Sequence, residues 1–461
     1  MSSSTVLEKF AQLVSAIDYE HLPEEVVSRT KDLLIDTVGC AYGAFHSQIK
    51  DGLLELAHSV GGNPQATLIG AGELTSAPMA TLVNGSLMRY LDCNDYYFGK
   101  DPGHPSGNFA VGLAVGQREQ VSGQDFIAAM VMAYEIQMRL CDCAGDPSLW
   151  KRGWHHSTNA AFSSAALAAK LSRMSSQQMA QAMAIAGSHQ NTLAQLQNGG
   201  VANMKATAEA WVAKAGVEAA LMAKVGITGP LNLLEGSAGW IGTVAGQCQI
   251  EQLLAPLERY LIVDSNLKPY PAVATTMSAI SCAIALHQTA QINLSHIEKI
   301  TIRLPAFVLG TPAAGEDRRY PQSLEAAQHS LYYCVVVALL DGACHDRQFT
   351  NEKLSLPIIK SLLSKVQLRE DESLSRGWPA AGGGVDIAMQ DGVVFTKTIT
   401  HPPGHPCNPL SEQQILAKFH AYVDPVLGGD KAHDLYQQLK SIDSCHNLNQ
   451  LNPYFVSIQN S

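Results

Sequence analysis

Apolar residues recur at helical spacing from the start of the chain. Leu7, Phe10, Leu13 and Val14 mark one helix, and a second follows Pro23, from Val26 to Tyr42. Leu53, Leu54, Leu56 and Ala57 repeat the pattern over residues 50–60. A turn-rich connector, Gly61-Gly62-Asn63-Pro64, leads into a short extended piece, 66–69, and then a helix over 76–91. Between 108 and 260 the spacing predicts helices over Phe126–Leu140, Ser157–Leu171, Ser176–Ser188, Met204–Lys224 and Ile250–Ile262. Ala, Gly, Met and Leu are dense there, so these helices must pack closely. The period changes after Lys268-Pro269-Tyr270-Pro271. Residues 297–304 alternate as a half-buried strand does. Residues 384–389 and 393–399 flank Gln390-Asp391-Gly392, a hairpin signal. Helical spacing returns between these strands, over Ala274–Gln288, Leu324–Leu340 and Leu356–Leu363, and again in the tail over Ser411–Ala421 and Ala432–Ser441. The pattern therefore predicts a mainly α protein with an α+β unit at about 267–400 inside an otherwise helical chain.

One stretch interrupts the helices without being a simple turn. Tyr90 to Gly107 holds Asp92, Asp95, Lys100, Asp101 and His104 among two prolines and three glycines, just before the apolar run Phe109–Val115. Each proline removes a backbone donor and restricts its predecessor, so no helix runs through Asp101-Pro102-Gly103-His104-Pro105. A polar loop held between two apolar helices is a place where chemistry is commonly put.

Composition narrows the function classes. The 461 residues are 46% hydrophobic and 16% charged, enough for a large core and for two to three domains. The net charge of −10 disfavours a nucleic-acid surface. No apolar stretch of the ~18 residues a membrane span needs is present, and the Ser-rich start lacks an apolar leader. The ten cysteines are scattered and read as reduced, buried thiols, with the cytoplasm as the expected compartment. Phosphate-loop, zinc-protease and nucleophile-elbow motifs are absent, and Gly382-Gly383-Gly384 precedes a strand instead of opening a helix. His401 and His405 could pair on a metal, but the two prolines between them and the lack of a third ligand favour a rigid turn. No metal site is expected.

Four polar islands remain: the loop with Asp92 and His104; Gly153-Trp154-His155-His156-Ser157; Asn203-Met204-Lys205; and Asn266-Leu267-Lys268-Pro269-Tyr270-Pro271. Taken singly, a lysine at a helix start is usually solvated and a lone histidine usually structural. Together they suggest a site for a small anion: lysines and helix N-termini bind carboxylates, and Asp or His moves protons.

The same segments carry a resemblance. Leu34-Ile35-Asp36-Thr37-Val38-Gly39-Cys40, Leu91-Asp92-Cys93-Asn94-Asp95, Gly103-His104-Pro105-Ser106-Gly107, Gly153-Trp154-His155, Met204-Lys205-Ala206, Lys268-Pro269-Tyr270-Pro271, His329-Ser330-Leu331-Tyr332-Tyr333 and Gly404-His405-Pro406-Cys407-Asn408-Pro409 are collinear with the 2-methylcitrate dehydratase and cis-aconitate decarboxylase family, MmgE/PrpD. The resemblance implies a large all-helical domain from residues 1–266 and 401–461, and a smaller α+β lid domain over 267–400. It implies a homodimer and a hydro-lyase acting without a cofactor on a small di- or tricarboxylate resembling 2-methylcitrate. An isomerase or epimerase of a dicarboxylate, or a cis-aconitate-type decarboxylase, is the alternative. Carried over by position, Asp92, His104, His155 and Tyr333 are the expected catalytic residues, and Lys205, Lys268, Asp95 and Tyr96 the expected substrate-binding ones. The chain departs from the family pattern at Asn94, Tyr96, Ala208 and Val273; the last stands where decarboxylase-like members carry a histidine.

Overall fold

The computed structural model describes residues 4–145, 148–197 and 201–457, so the first three residues of the Ser-rich start fall outside it. The protein is mainly α with one small sheet unit. The first helix, Val6–Ser15, is closed by a capping box in which Thr5 and Glu8 satisfy each other's backbone N–H groups. Helices Glu24–Gly43, Ala77–Tyr90, Asn108–Glu119, Gly123–Cys143, Ala160–Leu171, Ser176–His189 and Met204–Lys224 follow. The C-terminal pair, Glu412–Leu427 and Gly429–Lys440, returns to pack on Glu24–Gly43. One apolar core joins both ends of the chain, from Leu7 to Leu267 and again from Ile415 to Phe455.

Close approach is written into the small residues. A Cβ on Gly85 would lie 2.9 Å from Ala210 Cβ and 3.2 Å from Ala110 Cβ, so Gly85 lets three helices meet. That meeting brings Arg89, at the end of Ala77–Tyr90, opposite Lys205, at the start of Met204–Lys224.

A second apolar core belongs to the sheet unit and contains residues from Ala272 to Met389. Its four strands run in the order Val366–Glu370, Ile297–Leu304, Gly383–Met389, Val394–Ile399. The first pair is parallel and the others antiparallel. The Asp391-Gly392 hairpin forms where the alternation placed it, with Gly392 at φ +87°. Strand Val366–Glu370 was not read from the sequence; its buried face is short, with only Val366 fully enclosed.

Several expected helices differ. Ile250–Ile262 is helical only over Ile250–Leu253, and a one-turn helix resumes at Leu261–Asp264; Pro256 lies between them. Ser157–Leu171 opens on a tight turn, His156–Asn159, before the helix proper. Leu324–Leu340 is two helices, Leu324–Gln328 and Leu331–Asp341, parted at His329-Ser330. Ser330 causes that break. Its side chain caps the second helix by accepting from the Tyr333 N–H and donates to the Arg318 carbonyl at 2.6 Å.

The polar loop forms the seam between the two cores. Tyr97–Phe98 and Pro102–Gly103 make a two-rung hairpin. Tyr96 and Phe98 insert their rings into the sheet unit's core, and Phe98 lies 5.0 Å from Trp378. The Tyr96 backbone pairs with Asn266 on the other side.

Candidate active site

A cavity of about 260 Å³ opens at this seam. Asp92 lies on its wall, at the end of Ala77–Tyr90, in the left-handed conformation (φ 51°), which a short polar side chain tolerates. The turn buries the carboxylate among basic groups. Lys268 Nζ donates to Asp92 Oδ1 and to its carbonyl, both at 2.9 Å. Lys205 Nζ lies 3.0 Å from Oδ2, Arg89 3.6 Å from Oδ1, and His329 Nε2 3.4 Å from Oδ2.

Four basic groups around one carboxylate have an asymmetric effect. Burial alone would raise Asp92, but Lys205, Lys268 and Arg89, with His329 when it is protonated, hold it well below the usual carboxylate range. The basic groups are crowded in turn. Burial, then Arg89 and Lys268, bring Lys205 down to about 7 against the pull of Asp92. Burial lowers Lys268 as well, and burial with Lys205 holds His329 neutral, at about 3. The site thus contains a fixed anion and a lysine that titrates near neutrality.

His104 also lines the cavity. Its Nδ1 is 2.7 Å from the Asp95 carbonyl oxygen, which can only accept, so Nδ1 carries the proton and Nε2 is left with its lone pair. Burial, then Arg89 and Lys268, push His104 well below its ordinary value, so the ring is neutral at pH 7. His156 packs edge-on against it, ring centres 5.0 Å apart, and His155 lies behind His156 at 3.9 Å.

The expected residues therefore divide. Asp92, His104, Lys205 and Lys268 come together on the cavity. Asp95, Tyr96, His155 and Tyr333 do not line it. Asp95 is buried behind the loop, accepting from the Ser106 N–H and the Tyr134 hydroxyl. Tyr96 is a core residue of the seam. His155 caps its own turn: Nδ1 accepts from the Ser157 N–H and is 2.9 Å from its hydroxyl. Tyr333 faces into the sheet unit, where its hydroxyl donates to the Gln348 carbonyl at 2.7 Å.

The sequence reading missed four residues. His156, His329 and Arg318 line the cavity, and Arg89 is buried beside it. Asp101, another acidic residue of the polar loop, reaches the wall while accepting from the Leu149 N–H; burial raises it to about 6. His156 was visible as the second half of a histidine pair, and His329 stood in a motif read for Tyr333. Val273 does line the cavity, so the wall is apolar there. Asn94 bridges instead of ionising: it accepts from Arg89 and donates to Ser106.

Elsewhere, Cys407 supplies the third donor that His401 and His405 were expected to lack, all three ligand atoms lying within 4.8 Å of one another. His405 Nδ1 accepts from the Cys407 N–H, which places that ring's proton on Nε2. All ten cysteines are free thiols, most of them buried. No helix among the described residues is long and apolar enough to cross a membrane.

The MmgE/PrpD N-terminal domain matches residues 8–253 and the MmgE/PrpD C-terminal domain residues 270–443. The chain belongs to this family. It is 25% identical to the cis-aconitate decarboxylase of Mus musculus, over 98% of this chain and 94% of that protein. It is also 25% identical to the 2-methylcitrate dehydratase of Cupriavidus necator, over 81% of each chain. The 2-methylcitrate dehydratase of Salmonella typhimurium matches at 23%, over 84% of each.

Proposed function

We propose that this MmgE/PrpD protein is a lyase that removes water from a small di- or tricarboxylate resembling 2-methylcitrate, by taking a proton from the carbon beside a carboxylate. The observation that carries this reading is the convergence of Lys205 and Lys268 on one wall of a cavity beside His104, whose Nε2 has no hydrogen-bond partner among the described residues. The relatives' names, which cover tricarboxylate dehydratases and decarboxylases, support a substrate of that kind.

The steps need only side chains. A substrate carboxylate binds against Lys205 and Lys268, while Asp92 keeps both ammonium groups aimed at the cavity. The added negative charge offsets the cations that depress His104 and makes it a stronger base. His104 Nε2 takes the proton; the C–H electron pair becomes the new double bond as the neighbouring C–O bond breaks. The departing hydroxide takes a proton from Lys205 and leaves as water. Solvent then returns the proton from His104 to Lys205.

Proton NMR in D₂O separates this from its neighbours in chemistry. With citrate, 2-methylcitrate and cis-aconitate offered in turn, a new alkene signal supports dehydration. Deuterium entering an unchanged skeleton makes the protein an isomerase, and loss of CO₂ makes it a decarboxylase. If no acid exchanges or reacts, the assignment of the cavity fails.

We further infer that two copies associate through the outer face of Met204–Lys224 and its continuation. Met204, Trp211, Met222 and Val225 are exposed on one side there, Val225 being 78% exposed, with the Lys214–Glu218 ion pair between Trp211 and Met222.

A further inference from the structure

Three arginines are buried to a similar degree among the described residues: Arg89, Arg139 and Arg318. Two of them face a carboxylate. Arg89 Nε is 3.3 Å from Glu209, and Arg139 Nε 2.7 Å from Glu135. Arg318 is the exception. Its Nε and Nη1 have no hydrogen-bond partner among the described residues. The nearest carboxylate, Asp317, is 3.7 Å from Nε and 68% exposed, beyond hydrogen-bond reach. A buried guanidinium with two nitrogens unpaired, and only an exposed, solvent-screened carboxylate nearby, is costly.

Its position is held from two sides. Arg318 ends the turn Glu316–Arg318 in the sheet unit, and its carbonyl accepts from Ser330. Its Nη2 crosses the seam to donate to the Gln197 carbonyl at 2.9 Å. The side chain lines the same cavity as Lys205, Lys268 and His104. Phe98, Val273 and Phe307 add apolar wall to that cavity.

We propose that Arg318 is a second anion subsite, supplied by the sheet unit, which takes a carboxylate of the ligand other than the one held by Lys205 and Lys268. The proposal rests on the lyase reading for its first subsite and goes beyond it in naming what selects the substrate. A ligand with a short apolar skeleton and at least two carboxylates satisfies both cationic groups. A monocarboxylate engages the lysines alone, leaves the guanidinium as it is in the empty site, and binds more weakly for want of that second contact. Planar geometry and permanent charge suit Arg318 to this role better than a third lysine.

The test is calorimetric titration of the full chain with tricarballylate, glutarate and butyrate, on wild type, Arg318→Gln, Arg318→Lys and Lys205→Met. Arg318→Gln should weaken tricarballylate binding by roughly ten- to a hundred-fold, the scale of a lost charge-assisted contact, with Arg318→Lys in between. Butyrate should bind wild type and both Arg318 variants alike. If Arg318→Gln binds tricarballylate as wild type does while Lys205→Met binds it weakly, the Arg318 subsite is wrong and the lysine site stands. If wild type binds neither polycarboxylate, the lyase reading falls and takes the subsite with it. Arg318→Lys keeps the charge and serves as the folded comparison should Arg318→Gln be unstable; equal binding of tricarballylate and butyrate by wild type also overturns the proposal.

Discussion

At the residue scale, proton placement decides the roles. His104 donates from Nδ1 to a carbonyl, so its reactive nitrogen is fixed by the backbone of Asp95. His104→Gln should lower turnover by roughly 10²–10⁴-fold, the usual contribution of a general base, with an unchanged unfolding midpoint. Turnover near the wild-type rate would remove His104 from the mechanism. The pH profile follows from two groups. Lys205 must be protonated to donate, and it titrates at about 7. His104 must be neutral, and its value lies well below the ordinary one. The ratio kcat/KM should therefore be level in weakly acidic solution and fall as pH rises through about 7. A profile that rises there instead would exclude Lys205 as the acid. Tyr333 gives the contrasting case, since its hydroxyl satisfies Gln348 inside the sheet unit. Tyr333→Phe should cost about 1–2 kcal/mol of stability for the lost buried hydrogen bond, with turnover within a few-fold of wild type. Motif position alone could not separate it from His329, four residues earlier. The choice depends on a helix start set by Ser330, which is a tertiary fact.

At the scale of elements, most of the helical frame was legible because burial enforces a period. Met204–Lys224 has the bounds its spacing predicts, and the Asp391-Gly392 hairpin pairs as its alternation requires. What was not legible is where a contact from elsewhere stops a helix. The His329-Ser330 break depends on the Arg318 carbonyl, distant in the helical pattern, and it is what brings His329 to the cavity. A second such contact fixes Lys268. Gly404, on the return from the sheet unit, has φ +89°, and its carbonyl accepts from the Leu267 N–H at 3.0 Å. A Cβ there would lie 1.8 Å from the Leu267 carbonyl oxygen. Gly404→Ala must move the backbone next to Lys268. The conformation and the collision together should cost at least ~2 kcal/mol. Turnover should fall with it, measured at a temperature where the variant is still folded. Full activity would show that the loop does not position the lysine.

At the scale of the whole molecule, the helix that carries Lys205 inward also carries exposed apolar residues outward. Positions 204, 211, 222 and 225 fall on one side of the Met204–Lys224 helix and its continuation, since spacings of seven, eighteen and twenty-one residues return close to the same face. A symmetric pair packed there meets its own face, Trp211 near Trp211, and the aromatic ring offers the largest burial. A stable dimer must cover roughly 1,200 Å² or more in total, which one helix cannot supply alone; Ile227, whose N–H bonds to the Met222 carbonyl just past the helix, is exposed as well. Light scattering on the eluting wild-type protein should give the mass of two chains at micromolar concentration. Trp211→Glu places two like charges in the contact and should give the mass of one. Because Lys205 follows Met204 directly, loss of the partner exposes the helix start that holds it, so the monomeric variant should also lose turnover and unfold at lower temperature. A Trp211→Glu protein that remains a dimer would place the interface on another face, and one that becomes a fully active monomer would show that this face adds association without supporting the site.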